Sequence, residues 1–215
     1  MMIKVLLVDD HRIVRHGLRA LLEKEADMEV VSEACSGRDA VQLAGELLPD
    51  VIVMDIAMPD MNGIDAARRI IADHPERNIL ALSMLGDKRF VYEMFSAGVK
   101  GYLLKDCAAD ELVRAIRAVH RGQMYISPQI AGIVIKDFIK LPPEASPETT
   151  PVLTLREREV LQLLAEGKNA KEIAFILSVS SKTVDTFRQS IMKKLELNTV
   201  AELTKYAIRE GLTSL

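Results

Sequence analysis

Five times before residue 122 the chain repeats one unit, a short apolar, β-branched run followed by a longer stretch of helical period. The runs are "IKVLLV", "EVVSEA", "VIVM", "ILALS" and "GYLL". The helical stretches run from about His11 to Lys24, Gly37 to Leu47, from near Asn62, from about Asp87 to Ala97 and from Ala108 to His120. A strand that returns to its sheet through a helix pairs in parallel. Three of the five runs are apolar on both faces, which suits strands covered on both sides and not a half-solvated sheet. The pattern predicts an α/β domain with a doubly wound, five-stranded parallel sheet between helical layers.

The repeat then stops. "SPQIAGIVIKDFIK" reads as one more helix, started by Ser127 with Pro128 at its first position. "LPPEASPETTP", Leu141 to Pro151, holds four prolines and almost nothing to bury, so it reads as a linker. Beyond it no strand-like alternation occurs, only helical periods broken by "EGKN", "SVSS" and "ELN". Expected boundaries are 1–122 for the α/β domain, 123–151 for the linker helix and linker, and 152–215 for a smaller all-α domain. With 49% apolar residues in 215, the chain has material for two cores. No uncharged apolar run reaches the ~18 residues of a membrane span, and "MMIKVLLVDD" lacks the features of a signal peptide, so a cytoplasmic location is expected. Cys35 and Cys107 stand far apart without metal-site spacing and are expected to be buried free thiols.

In an open parallel sheet, ligands bind outside the carboxyl ends of the strands. The first strand ends in Asp9 and Asp10, the third in Asp55, the fourth in Ser83, and the fifth leads into Lys105. Clustered carboxylates repel one another unless a cation neutralises them, and a hard oxygen donor set with open positions suits Mg²⁺. Mg²⁺ usually completes its shell with water and phosphoryl oxygens, so the cluster points to phosphoryl chemistry. Asp55 could then attack phosphorus as a nucleophile, with the metal and Lys105 stabilising charge and Ser83 donating to the product. Acids at strand ends also cap helices, but that accounts for Asp10 alone and not for the whole set.

The C-terminal segment carries two helices joined by a turn of about four residues, the layout in which the second helix enters the DNA major groove. At 100° per residue, Val184, Phe187, Ile191 and Leu195 share one side of "KTVDTFRQSIMKKL", with Lys182, Thr186, Gln189 and Lys193 opposite, flanked by Asp185 and Ser190. Lys182, Thr183 and Lys193 suit phosphate contacts. Thr186 and Gln189 can meet base edges, and Asp185 can accept from cytosine, cap the helix or pair with Lys182. Arg188 lies toward the buried flank, where an internal ion pair competes with DNA. Leu155, Val160, Leu161 and Leu164 are expected to face the core, as are Val200, Leu203, Ala207 and Tyr206 of the last helix. From Pro151 onward the charge is +2, against −5 for the remainder, which permits nucleic acid without requiring it.

These residues resemble the two-component response regulators of the NarL/FixJ subfamily. Over about the first 120 positions, Asp9 and Asp10, "DIAMPDMNG" with Asp55, Pro59 and Gly63, Ser83, and "KGYLLKD" around Lys105 are similar to a receiver domain of flavodoxin-like fold. Residues 152 to 215, through "LTLREREVL", "KEIA", "KTV" and "KKL", are similar to a LuxR-type helix-turn-helix domain. The resemblance implies that a sensor histidine kinase phosphorylates Asp55. It further implies Mg²⁺ held by Asp10, Asp55 and the main-chain carbonyl of Ala57, with Asp9 assisting through water, and Tyr102 as the switch aromatic. It implies promoter DNA with an inverted repeat as target, a homodimer formed on phosphorylation, and contact between dimer partners through the final helix. An unphosphorylated receiver would mask the recognition or dimer helix. Two departures stand out: Ala57 cannot hydrogen-bond an attacking water, which predicts slow autodephosphorylation, and Phe187 replaces a common histidine.

Two other classes compete. A Mg²⁺-dependent phosphohydrolase with an Asp55 nucleophile would place a second acid two residues on, where this chain has Ala57. A nucleotide- or flavin-binding protein would need a glycine cradle, but the first turn reads "DDHRIVRHG". The expected protein is thus a transcription regulator that promotes its own Mg²⁺-dependent phosphorylation and dephosphorylation, and not an enzyme acting on a separate substrate.

Overall fold

The computed structural model describes residues 2–84, 88–140 and 153–213. The proposed linker Leu141–Pro151 and the expected helix start at Asp87 lie outside the described residues. The chain forms two compact units. In the first, β1 (Ile3–Val8), α1 (Arg12–Leu22), β2 (Met28–Ala34), α2 (Gly37–Leu47), β3 (Val51–Asp55), α3 (Gly63–Asp73), β4 (Asn78–Ser83), α4 (Lys88–Ser96), β5 (Gly101–Leu104) and α5 (Ala109–His120) follow the sequence pattern closely. The sheet order is β2-β1-β3-β4-β5-β6 and every pairing is parallel. The chain leaves β1 toward β2 on one side and returns to β3 on the other. This reversal opens the crevice at the carboxyl ends of β1 and β3.

The strands pack as the two-sided apolar runs require. Ile3, Val5, Leu7, Val51, Val53, Leu80, Leu82 and Leu103 form one core layer with Leu22 of α1 and Leu112, Val113, Ala115, Ile116 and Val119 of α5. Each such Leu, Ile or Val side chain contributes about 1.5–3 kcal/mol of burial. The intervening Leu6, Ile52, Met54, Ile79 and Tyr102 are likewise sealed from solvent, as are Ala40 and Ala44 of α2 and Ala66, Ala67 and Ile70 of α3. Polar residues fix the helix starts. Ser36 accepts from Asp39 N–H at 3.1 Å and Asn62 from Asp65 N–H at 2.9 Å. α5 opens with Asp110 and Glu111 and closes with Arg117 and His120, charges that complement its dipole.

Two expectations for the first unit need correction. The sheet has six strands and not five, because β6 (Tyr125–Ile126) pairs beside β5. Two residues cannot display a period-2 pattern. The strand exists because Tyr125 N–H reaches the Lys100 carbonyl at 2.9 Å and Ser127 N–H the Tyr102 carbonyl at 3.2 Å. From there α6 (Pro128–Lys140) starts at Ser127 as expected, with Ile130 N–H bonded to the Ser127 hydroxyl at 3.4 Å. Cys35 is exposed and not buried, because it follows the last inward residue of β2, Ala34; its thiol faces Asp39 Oδ2 at 3.4 Å. Cys107 is half-buried against the core.

The second unit is all-α: α7 (Leu155–Ala165), α8 (Ala170–Ile176), α9 (Ser181–Leu195) and α10 (Val200–Arg209). Val160, Leu161, Leu163, Ile173, Val184, Ile191, Leu203 and Ala207 make its core. Thr154 with Glu157, Asn169 with Glu172 and Thr199 with Glu202 form reciprocal capping boxes on α7, α8 and α10. Leu164 and Tyr206 pack partly against this core, whereas Leu155 is only half-buried and Val200 is 44% exposed, outward of their expected places. Both lie in the first turn of a helix, where the apolar stripe has little to pack against.

Candidate functional site

At the carboxyl edge of the first unit's sheet, the end of each central strand delivers one polar group. Asp9 follows β1, Asp55 ends β3, Ser83 ends β4 and Lys105 follows β5. Asp9 and Asp55 are 1% and 3% exposed and Ser83 is 1% exposed, so three polar groups are held where an apolar residue would otherwise stand. Lys105 joins them. Its ammonium lies 2.7 Å from Asp9 Oδ2 and 2.7 Å from Asp55 Oδ2. The lysine is aimed by its own backbone, since Lys105 N–H continues the β4–β5 ladder to the Ser83 carbonyl at 2.8 Å. The other oxygen of Asp55 accepts from Ile56 N–H at 2.7 Å, and Asp9 Oδ1 accepts from His11 N–H at 2.8 Å.

Asp10 is less enclosed, its side chain 29% exposed, and its Oδ1 lies 2.9 Å from His11 Nδ1. One potential donor atom each from Asp9, Asp10, His11 and Asp55 falls within 4.8 Å of the others. Three carboxylates with a single compensating lysine leave excess negative charge, and this oxygen-rich donor set fits a divalent cation. Ala57 is exposed just beyond β3, while Tyr102 on β5 is fully buried beside Ala81. Gly63 brings the α3 start against the strand end: a Cβ there would meet the Asp55 carbonyl oxygen at 1.9 Å, so only glycine fits.

The electrostatics follow from burial. Desolvation pushes the Asp55 carboxyl up and Asp9 adds to this, with Lys105 and the Ile56 amide opposing. Burial also works against the Lys105 charge, but its bonds to Asp55 and Asp9 outweigh that and hold the ammonium above its ordinary range. His11 and Arg15 escape a reading of strand ends. Each looks like an ordinary residue of the α1 start, yet Arg15 donates to the Asp9 carbonyl and also pairs with Glu33 at 3.3 Å. The adjacency "DDH" is the one available signal for His11.

In the second unit α8 and α9 are joined through Leu177–Ser180, with Ser178 in the left-handed region at φ 53°. Lys182, Thr186, Gln189 and Lys193 are all exposed on one face of α9, opposite buried Val184 and Ile191. Phe187 packs partly into the core, as its place in the apolar stripe requires. Four of the expected contact residues are engaged locally. The Thr183 hydroxyl lies 2.8 Å from that of the N-cap Ser180, the Thr186 hydroxyl donates to the Lys182 carbonyl at 3.0 Å, and Arg188 pairs with Asp185 at 3.1 Å. A shallow groove of about 440 Å³ continues this face past Gln189 and Lys193 to Asn198. Ser190 is turned away from it and donates to Glu157 Oε1 at 2.7 Å, while Lys194 pairs with Glu157 Oε2 at 2.7 Å.

Residues 5–117 match the response regulator receiver domain family, and residues 151–207 match the bacterial regulatory proteins of the luxR family. The chain is 41% identical to the transcriptional regulatory protein LiaR of Bacillus subtilis, covering 99% of this chain and 100% of LiaR. It is 37% identical to the oxygen regulatory protein NreC of Staphylococcus carnosus, covering 97% and 98%. A solved complex of the two-component response regulator RcsB with DNA superposes with a TM-score of 0.61 at 27% identity, covering 96% of this chain and 98% of that one. With both units matched in order, the chain belongs to the two-component response regulators of NarL/FixJ type, transcription regulators that join a receiver domain to a LuxR-type helix-turn-helix domain.

Proposed function

We propose that Asp55 is the phosphoacceptor of this regulator and that α9 is its DNA-reading helix. The observation that carries the first part is the ammonium of Lys105 held 2.7 Å from both Asp9 and Asp55 at a buried strand end. A carboxylate oxygen of Asp55 forms a bond to phosphorus as the bond to the donor's leaving group breaks, the donor being a phosphohistidine of a sensor histidine kinase. Lys105 neutralises charge on the transferred oxygens and the Ser83 hydroxyl donates to one of them. Asp10, Asp55 and the Ala57 carbonyl would hold Mg²⁺, with Asp9 acting through water. When bound, the ion supplies positive charge opposite the phosphoryl oxygens and offsets the repulsion among the carboxylates. Tyr102 is the switch aromatic that follows Ser83. Treatment of the metal-loaded protein with phosphoramidate should add one phosphoryl group to Asp55 by mass spectrometry. No added mass there would sink the reading.

Ala57 offers the aspartyl phosphate no side chain that could hydrogen-bond an attacking water, so the phosphorylated form is long-lived. Ala57→Asn should shorten its lifetime in a timed phosphate-release assay, and an unchanged decay would count against this role.

Receiver, linker and DNA-binding domain occupy 1–122, 123–151 and 152–215. Lys182, Thr183 and Lys193 contact phosphates, while Asp185, Thr186 and Gln189 face base edges. Arg188 joins them once released from Asp185. Phosphorylation favours a homodimer on an inverted repeat in promoter DNA, with α10 contributing to the dimer contact. Among the described residues no helix is long and apolar enough to cross a membrane, which agrees with the cytoplasmic site of action this function needs. Selection from a random duplex pool by the phosphorylated protein tests the DNA reading: the selected sites should be inverted repeats.

A further inference from the structure

We propose that His11 is a nitrogen donor of the acidic pocket and makes it bind a borderline transition metal, with Co²⁺ as the probe, more tightly relative to Mg²⁺ than three carboxylates would. The inference rests on the reading of Asp9, Asp10 and Asp55 as a divalent-cation pocket. It concerns a residue to which that reading gives no part. His11 N–H is bonded to Asp9 Oδ1 at 2.8 Å, which fixes the residue at the pocket rim. The exposed ring places Nδ1 at 2.9 Å from Asp10 Oδ1 and 3.3 Å from Asp9 Oδ1. Two donors bound side by side on an octahedral ion, each about 2.1 Å from the metal, lie about 3 Å apart. The imidazole and Asp10 already have that spacing, and the four potential donor atoms, Asp9 and Asp55 included, fit within 4.8 Å.

The consequence is selectivity. Mg²⁺ takes oxygen donors and leaves an imidazole aside, whereas Co²⁺, Ni²⁺ and Zn²⁺ gain from nitrogen in the donor set. The His11 side chain is 66% exposed, so turning it onto a cation costs little burial of its ring. The alternative is that His11 only hydrogen-bonds Asp10 and orients it. In that case its loss would weaken every metal alike.

Titration calorimetry of Mg²⁺ and Co²⁺ into the full chain, wild type, His11→Gln and Asp10→Asn, separates these outcomes. Paramagnetic NMR of the Co²⁺-loaded proteins provides the second readout. The expected result is that His11→Gln lowers Co²⁺ affinity at least about tenfold, the loss that follows removal of even an outer partner of a metal ligand. Mg²⁺ affinity is unchanged, and the hyperfine-shifted imidazole ring protons of the wild type disappear in His11→Gln. Equal loss of both metals in His11→Gln, or shifted ring signals that persist in it, overturns the role of His11 alone. If neither metal binds the wild type, or binding is indifferent to Asp10→Asn, the pocket reading itself fails and the inference with it.

Discussion

At the scale of single residues, the pocket keeps a buried acid at the expense of stability. Burial raises the Asp55 pKa, so the native state holds its proton more tightly than the unfolded chain does, and keeping the group ionised at neutral pH costs folding free energy. The sign follows: this cost appears as pH rises through the unfolded value near 3.8 and is complete above the raised native value. Asp55→Asn should therefore stabilise the metal-free protein by on the order of 1 kcal/mol in denaturant unfolding at pH 7, while abolishing phosphoryl incorporation. Lower stability in that variant would mean that the Lys105 pair outweighs burial. Gly63→Ala tests the opposite kind of constraint. With a Cβ forced to 1.9 Å from the Asp55 carbonyl oxygen, the α3 start must shift. The expected loss is about 1–3 kcal/mol, with slower phosphorylation by phosphoramidate. Asp9, Asp10, Asp55, Ser83 and Lys105 are legible in the sequence because each interrupts or ends an apolar run. His11 and Arg15 are not, since a residue at a helix start carries no periodic mark of the direction in which it turns.

At the scale of elements, the long two-sided runs of β1, β3 and β4 leave no doubt in sequence about a covered parallel sheet. β6 leaves no trace, because two residues gain their strand geometry from the β5 edge and not from their own pattern. The same distinction applies to α9. Its exposed polar face could be read from spacing, but the tie that seats it could not, because Glu157 reads only as the capping acid of α7. In the fold Glu157 caps Thr154 and accepts from both Ser190 and Lys194 of α9. Burial opposes its charge, but the Lys194, Thr154 and Ser190 bonds prevail and bring its pKa to about 2. A depressed carboxylate stabilises the fold above its unfolded pKa of 4.5 and ceases to do so as pH falls toward 2. Allowing for the partly exposed Lys194, its contribution at pH 7 is on the order of 2 kcal/mol. Glu157→Gln should speed hydrogen exchange in α7 and α9 at pH 7, and the difference from wild type should vanish near pH 2. On the outer face, Lys182→Ala should weaken binding to all duplexes and lower the salt slope by about 1, whereas Gln189→Ala should relax base preference at one position by about 1–3 kcal/mol. Anisotropy titrations across salt and across single-base variants of a selected site read both.

For the whole molecule, charge decides which kind of coupling can link Asp55 to DNA. Phosphorylation replaces the single charge of the Asp55 carboxylate by an acyl phosphate of roughly −1.5 to −2, a net addition of roughly −0.5 to −1 to the part of the chain already at −5, so any direct field at a polyanion would weaken binding. Screening over about 8 Å at physiological salt makes that field small but does not reverse its sign. A gain in DNA affinity must therefore come from a population shift, either one that unmasks the recognition helix within a protomer or, on the proposed reading, one toward a form that grips two half-sites at once. The second shift has a signature that a change in contacts within one protomer lacks. Two recognition helices displace about twice the counterions of one, so the slope of log K against log salt roughly doubles on phosphorylation. Phosphorylated wild type on an inverted repeat should show the doubled slope and an affinity about 5–150-fold higher, the range of ordinary coupling energies. Asp55→Asn should keep the single slope under the same treatment, as should phosphorylated wild type on an isolated half-site. Tight binding by Asp55→Asn with the doubled slope would show that dimeric engagement does not depend on the acceptor.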